Sequence, residues 1–415
     1  MRHTGFMRVF VFGEPSIDHV VTADKTAQRY IDEANRVWRL PEDASFVFRR
    51  DGEIFDIHVG RKWGFDAHQL PIYEKATLSA DDKGYVSTYP LTEEAWHEHS
   101  TRNHALIGNN YRCQSGGPAR NSLEAMVHAE RIFPNSSQTD YTLFFLMGND
   151  SATKWFLGHL DELNEGHKGT ISTHQLADSK WATHEAFNFI LPKGRTLIRY
   201  QEHMQNFNPD YISTWFEQNA EQVLESDVMI VNSLKHPLVI KHVADLLPRF
   251  SGKKVVAPTC DMLAKNYDGT MQMLQYADVV PCNMREAEKI LQLPPQHHES
   301  SSRANLLKQL YKEHIGQGRL YVSDGGRPSW VMDTATEPRS YTLHHSPVKN
   351  PINAGDIWTG ILLYHEIHNG HNPFDVLRHA SDYASLHIAL PRETQITKAL
   401  YEEFSRNRLS QGAGE

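Results

Sequence analysis

The sequence predicts an α/β fold of three layers, in which a mostly parallel central sheet is covered by helices on both faces and a separate β-rich part is attached. Three observations predict it. Short, nearly continuous apolar runs recur: RVFVFG at 8–13, YTLFFLMG at 141–148, SDVMIVNSL at 226–234, KKVVAPT at 253–259, ADVVPCN at 277–283 and GRLYVSDGG at 318–326. Strands buried on both faces read this way. Helical stretches of ten or more residues separate the later runs, which is the alternation of βαβ units. Residues 23–107 break the pattern with mixed charges, aromatics and short alternating runs.

In order along the chain, 8–13 reads as a buried strand ending in glycine. The stretch SFVFRRDGEIFDIHV (45–59) reads as two strands about a DGE hairpin turn. Residues 23–107 are therefore expected to form an inserted subdomain or lid. The core is expected to consist of 1–22 and 108–400. A helix is expected from Asn121 to Arg131, then the 141–148 strand, then a charged helix after Asp150. AFNFILPKGRTLIRY (186–200) reads as a hairpin about a KGR turn, placing lid strands near 183–205. The strand–helix units follow. The last helices are expected at Ala354–Asn369 and Phe374–Leu390, with 401–415 as a tail and its SQGAGE end frayed.

Composition bounds the class. The chain has 415 residues, is 40% hydrophobic and carries 25 glycines, enough to build a substantial core. Its 42 Lys+Arg against 51 Asp+Glu give a net charge of −9, which argues against nucleic-acid binding, a property of basic domains. Three cysteines, Cys113, Cys260 and Cys282, form no CxxC pair, so the expectation is a reducing, cytoplasmic setting without disulfides. No secretory signal pattern and no 18-residue apolar run occur, so neither export nor membrane spanning is expected.

Chemistry concentrates in a few turns. In NPINAGDIWTGILLYHEI (350–367) a turn leads through Asn353, Ala354, Gly355 and Asp356 into an apolar helix. The small residues let a ligand approach the backbone. The first N–H groups of a helix lack intrahelical partners and favour an anion. Asp356, in the first turn, either takes a proton from an attacking hydroxyl or simply caps the helix. GGPARN (116–121) sets a glycine pair before a helix start, and Asn121 offers a donor and an acceptor, or a cap. Asp18 follows the first strand at the edge where α/β sheets bind ligands, or is itself a cap.

Taken together, these segments resemble the PfkB carbohydrate kinase family, with its ribokinase-like fold. FGEPSID resembles the family's first strand and substrate-binding aspartate, GGPARN its glycine pair and downstream asparagine, and FLMGNDSATKWFLGHL its glycine–x–aspartate and helix. PKGRTLIRY resembles the lid strand, ADVVPCNMREAEKIL the N-x-x-E segment, LYVSDGGRPSW the strand and glycine loop facing the nucleotide, and NPINAGDIWTGIL the G-A-G-D turn. The resemblance spans residues 8–390 less the insert, and implies ATP- and Mg²⁺-dependent phosphorylation of a hydroxyl on a sugar, with a nucleoside as the alternative acceptor.

The resemblance implies roles residue by residue. Asp356 is the base, and the backbone of Asn353, Ala354, Gly355 and Asp356 is the anion hole. Asp18, Gly117 and Asn121 contact substrate hydroxyls, and Asn283 and Glu286 organise Mg²⁺ and phosphate through water. Ser323, Gly325 and Gly326 line ATP, and Arg195 is a candidate for phosphate contact, although a turn arginine is ordinarily solvated. A homodimer through the insert is consistent with the family.

The sequence departs from the pattern in three places. Asn353 replaces the leading glycine, Pro351-Ile352 replaces a threonine pair, and the insert is long. Asparagine tolerates positive φ, so the hole survives if the turn needs only that. The altered turn is the one feature favouring a binding or regulatory module instead. Other chemistries find no motif: GxxxxGK[ST] and a post-strand GxGxxG are absent, and HEIH (365–368) is not HExxH. His297-His298 and His344-His345 are adjacent pairs that share no metal face, and Asn135-Ser136-Ser137 is a sequon without secretory context.

Overall fold

The structure, a computed structural model, describes residues 6–22, 45–50, 53–59, 62–65, 71–74, 76–78, 104–106, 110–133, 138–149, 151–165, 167–178, 183–191, 194–200, 207–293, 300–333, 337–342, 349, 353–368, 372–391 and 394–412. The chain begins with β1 (Phe6–Gly13) and β2 (Ser16–Thr22). Short strands follow: β3 (Ser45–Arg50), β4 (Glu53–Val59), β5 (Lys62–Phe65), β6 (Pro71–Glu74), β7 (Ala76–Leu78), β8 (His104–Leu106) and β9 (Asn110–Gly116). Next come α1 (Pro118–Ile132), β10 (Gln138–Gly148), α2 (Ser151–Glu165), β11 (Ile171–Asp178), β12 (Glu185–Leu191) and β13 (Gly194–Tyr200). The middle of the chain runs α3 (Pro209–Leu224), β14 (Val228–Asn232), α4 (Pro237–Leu246), β15 (Lys253–Ala257), α5 (Cys260–Lys265), α6 (Tyr267–Gln275), β16 (Val279–Asn283) and α7 (Met284–Ile290). It closes with α8 (Ser300–Leu310), β17 (Arg319–Asp324), β18 (Arg327–Met332), β19 (Arg339–Tyr341), α9 (Ala354–His368), α10 (Pro373–Ala389) and α11 (Lys398–Gly412).

Nine strands form the central sheet in the order β11-β10-β1-β14-β15-β16-β17-β18-β19. The first seven are parallel to their neighbours, and β18 and β19 close one edge antiparallel. Side chains alternate across the pleat. Phe10 and Phe12 enter one apolar cluster with Met229, Val231 and the α3, α4 and α8 face. Val9 and Val11 enter the other with Val228, Ile230 and the faces of α1, α9 and α10. This two-sided burial is why the strands read as continuous apolar runs, and it gives the expected three layers.

A second sheet, β5-β6-β13-β12-β2-β9, draws strands from four separate parts of the chain. The expected 186–200 hairpin is present as antiparallel β12 and β13, with Leu191 opposite Gly194. β2 pairs with β12 in parallel and with β9 antiparallel, so segments at both margins of the expected insert join this sheet. A third sheet, β7-β4-β3-β8, contains the expected 45–59 hairpin, with Arg50 opposite Glu53.

The C-terminal end differs from expectation. Lys398–Gly412 forms a helix that takes in the first half of the expected frayed SQGAGE end. Thr397 Oγ1 caps it by accepting from Leu400 N, and Tyr401, 4% exposed, seats it against Phe133. The Thr397 cap and the 400–401–404 apolar spacing were the local signals for it. Residues 134–137, 294–299, 343–348 and 350–352 lie outside the described residues, and with them the sequon, both histidine pairs and Pro351-Ile352. The side chains of Arg195 and Cys113 do too. Among the described residues, no helix is long and apolar enough to cross a membrane.

Candidate active site

The candidate residues lie where strands of the two larger sheets end and helices begin. α9 starts immediately after Asn353, whose φ of 59° is left-handed. Asparagine adopts that region at low cost, and Asn353 O accepts the helix's first bond from Ile357 N at 2.8 Å. The leading position of this turn therefore needs positive φ, which asparagine meets. Gly355 is exposed, and a methyl group placed on it would meet no atom within 4 Å. The space beside Gly355 is thus unfilled by the described residues, at a helix start whose first N–H groups lack intrahelical partners and favour an anion.

Asp356 is half-buried in the first turn and tied to α1. Its Oδ2 accepts from Asn121 Nδ2 at 2.9 Å, and its carbonyl accepts from Ser122 Oγ at 3.1 Å. Ser122 in turn accepts from Asn232 Nδ2, at the end of β14. The two helices can run this close because Gly360 carries no side chain; a Cβ there would lie 2.4 Å from Ser122 O. Asn121 is 3% exposed, and its Oδ1 is buried without a hydrogen-bond partner among the described residues.

Gly117 precedes α1 with φ 91°, and a Cβ on it would meet Glu14 O at 2.6 Å and Ser16 N at 2.9 Å. Only glycine suits both the angle and the contact. Asp18, on β2, packs its carboxylate on Gly116 and accepts from Ser16 Oγ at 2.7 Å. Asp18, Gly117, Asn121 and Asp356 are thereby linked in one continuous run of contacts.

Asn283 and Glu286 form a capping box at α7: Glu286 N donates to Asn283 Oδ1 at 2.9 Å and Asn283 N donates to Glu286 Oε2 at 2.8 Å. This local role stands beside any other. Burial, with the nearby Asp356 charge adding to it, pushes the Glu286 carboxyl up to about 8. Two carboxyl groups held in one another's field are a setting that a cation would relieve. Ser323 stands directly beside Asn283 in the β16–β17 register. Gly325, at φ 58°, and Gly326 make the exposed β17–β18 turn just after Ser323.

Several groups here were not foreseen. Glu14, Lys235, His184 and His236 are each at most 5% exposed. Glu14 Oε1 accepts from Lys235 N and His236 N, and Lys235 Nζ contacts His184 Nδ1 at 2.6 Å. Burial pushes the Glu14 carboxyl up to about 7 and the His236 imidazole down to about 4. Burial also raises the Cys260 thiol, to about 11, so it is held as the neutral thiol. An acidic residue directly after a buried strand was the signal for Glu14; nothing local marks Lys235.

Comparison with known proteins follows this geometry. A family model described as pfkB family carbohydrate kinase matches residues 91–394. No curated protein matches the sequence. Among solved structures, a ribokinase from Thermotoga maritima is similar at 13% identity and TM-score 0.57, covering 97% of this chain and 100% of its own. An adenosine kinase from Schistosoma mansoni in complex with 2-fluoroadenosine is similar at 13% and 0.60, covering 94% and 98%. A ribokinase from Giardia lamblia is similar at 11% and 0.60, covering 96% and 99%. At these identities the likeness is one of fold.

Proposed function

Because the chain belongs to the pfkB family of carbohydrate kinases, we propose that it transfers the γ-phosphoryl group of ATP, with Mg²⁺, to a hydroxyl of a sugar. The observation that carries this reading is the junction of α1 and α9. Asn121 holds Asp356 by a 2.9 Å hydrogen bond beside a helix N-terminus left open at Gly355.

The acceptor hydroxyl lies against Asp356, which takes its proton as the bond to phosphorus forms. Charge on the transferring phosphoryl falls on the N–H groups of Ala354, Gly355 and Asp356, which α9 leaves without intrahelical partners. Asp18, Gly117 and Asn121 orient the acceptor, and the unpartnered Asn121 Oδ1 suits a hydroxyl donor. Asn283 and Glu286 are the residues that would hold Mg²⁺ through water, and the ion's chemistry there is charge neutralisation. Ser323, Gly325 and Gly326 line the nucleotide. The second sheet, through β12 and β13, acts as the lid that excludes water, and a second copy would pair through this sheet or the insert. A cytoplasmic, ATP-rich setting suits this chemistry, and nucleic acid has no part in it.

A nucleoside is the second acceptor class. It is favoured by the fold likeness to an adenosine kinase that binds 2-fluoroadenosine.

The test is ADP release from Mg-ATP across pentoses, hexoses, their phosphates and nucleosides, run beside Asp356→Asn. The variant keeps an oxygen for Asn121 but cannot accept the proton, so kcat is expected to fall by about 10²- to 10⁴-fold. Unchanged turnover would remove Asp356 as the base. Silence across the panel without ATP binding would sink the kinase reading.

A further inference from the structure

Glu14 occupies the two-residue link between β1 and β2 and is 3% exposed. One carboxylate oxygen is fully used: Oε1 accepts from Lys235 N at 2.7 Å and His236 N at 3.0 Å, which clamps the side chain to the chain just beyond β14. The other, Oε2, is buried and has no hydrogen-bond partner among the described residues. A buried carboxylate oxygen without a donor is costly, and such atoms ordinarily mark a ligand or a water.

The place is informative. The Glu14 main chain packs directly on Gly117, where a Cβ would come within 2.6 Å of Glu14 O. Asn121 N donates to Gly117 O at 2.9 Å, and Asp18 lies four residues beyond Glu14. A second buried polar atom without a partner among the described residues, Asn121 Oδ1, lies on the helix that follows Gly117. Two unsatisfied polar atoms thus lie on the two segments that meet at Gly117. That is the pattern of a site completed by a polyhydroxylic molecule, not of a packed core.

We infer that Glu14 is a specificity-determining residue of the acceptor site, its Oε2 accepting a hydrogen bond from a hydroxyl of the sugar or ribosyl group other than the one phosphorylated. This rests on the kinase reading above and adds to it which part of the acceptor is recognised and from where.

Glu14→Gln separates recognition from structure. The amide oxygen can still take the two backbone N–H groups that Oε1 takes now, so the clamp persists. The amide nitrogen then stands where Oε2 stood and presents a donor to the substrate's donor. ADP release and calorimetric acceptor binding would be measured for both proteins at about pH 8.5, above the value of about 7 to which burial raises Glu14, with ribose, fructose, glucose, adenosine and their monodeoxy counterparts. With accepted hydroxylated substrates, KM is expected to rise by about 10- to 100-fold, the range for one lost buried hydrogen bond, and to rise more than kcat falls. With one monodeoxy analogue the ratio of wild type to variant should return to about 1, because the hydroxyl that Glu14 reads is gone. A ratio equal for every acceptor, deoxy or not, would make Glu14 a structural clamp and overturn the inference while leaving the kinase reading intact. Failure of the wild type to bind or phosphorylate any polyol would remove the acceptor reading itself, and this inference with it. Should Glu14→Gln not fold, Glu14→Asp carries the same comparison, since its carboxylate stands one methylene short of the hydroxyl.

Discussion

Replacing Glu366 by glutamine should cost about 2–4 kcal/mol of folding stability, although the side chain lies ten residues beyond Asp356 on the same helix. Its carboxylate is fully buried and collects four hydrogen bonds. Lys253 Nζ donates to Oε2 at 2.7 Å, Arg319 Nη1 donates to both oxygens at 3.0 Å, and Tyr321 Oη donates to Oε1. Lys253 and Arg319 open β15 and β17, so the network pins the last turn of α9 to the start of the central strands. An amide in either orientation sets an NH₂ against two of these donors. With nitrogen at Oε2 it opposes Lys253 and Arg319, and with nitrogen at Oε1 it opposes Arg319 and Tyr321.

Two charge-assisted bonds at about 1.5–3 kcal/mol each would give a larger loss. The two cations retain 29% and 35% side-chain exposure, however, and can turn partly to water, which brings the figure down. Burial by itself would raise the Glu366 carboxyl, but Lys253, Tyr321 and Arg319 hold it below its ordinary value of 4.5. A depressed carboxyl contributes stability that is present above the unfolded value and lost as pH falls through the folded one. The gap between wild type and Glu366→Gln should therefore be level above about pH 5 and narrow below pH 4.5. Urea unfolding followed by tryptophan fluorescence and far-UV circular dichroism measures both. A loss under about 1 kcal/mol at pH 7, or a gap that widens on acidification, would refute the reasoning.

Two further substitutions act at the α9 turn. Gly355→Ala meets no neighbouring atom, so thermal unfolding should show unchanged stability or a gain of up to about 1 kcal/mol, while ADP release falls because the methyl enters the space proposed for the phosphoryl group. Retained activity would move that space elsewhere. Asn353→Gly should leave folding and turnover within a few-fold of wild type, whereas Asn353→Val should cost about 1–3 kcal/mol in denaturant, because a β-branched residue resists the φ of 59°. Equal stability of the two variants would show that the angle is not what the position requires.

The sequence by itself determined what depends on neighbours along the chain. Apolar runs such as Arg8–Gly13 and Lys253–Thr259 declared strands with two buried faces, because a pleated strand between helices must be apolar on both sides. The Asn353 turn was legible because a left-handed residue is an event of one helical turn, whereas Asn283 and Glu286 were named from the family motif and their capping box came with the structure. Family motifs placed Asp356, Asn121 and Asp18 among the candidates but could not say that Asn121 bonds Asp356.

The tertiary structure alone decided what is built from distant segments. Asn121 meets Asp356 across 235 residues, and only the side-chain-free Gly360 lets α1 and α9 approach closely enough for it. β2 leaves the central sheet to pair with β9 and β12, a choice that its short SIDHVVT pattern does not contain, since strand pairing is set by partners brought together in folding. Lys235 and Glu366 are charged residues in otherwise apolar contexts, and nothing local marks either for burial. They are buried because partners arrive from elsewhere: His184 meets the Lys235 ammonium within the field of Glu14, and Lys253, Arg319 and Tyr321 bond the Glu366 carboxylate. A buried charge is tolerable only with its partners in place, and those partners are a property of the fold.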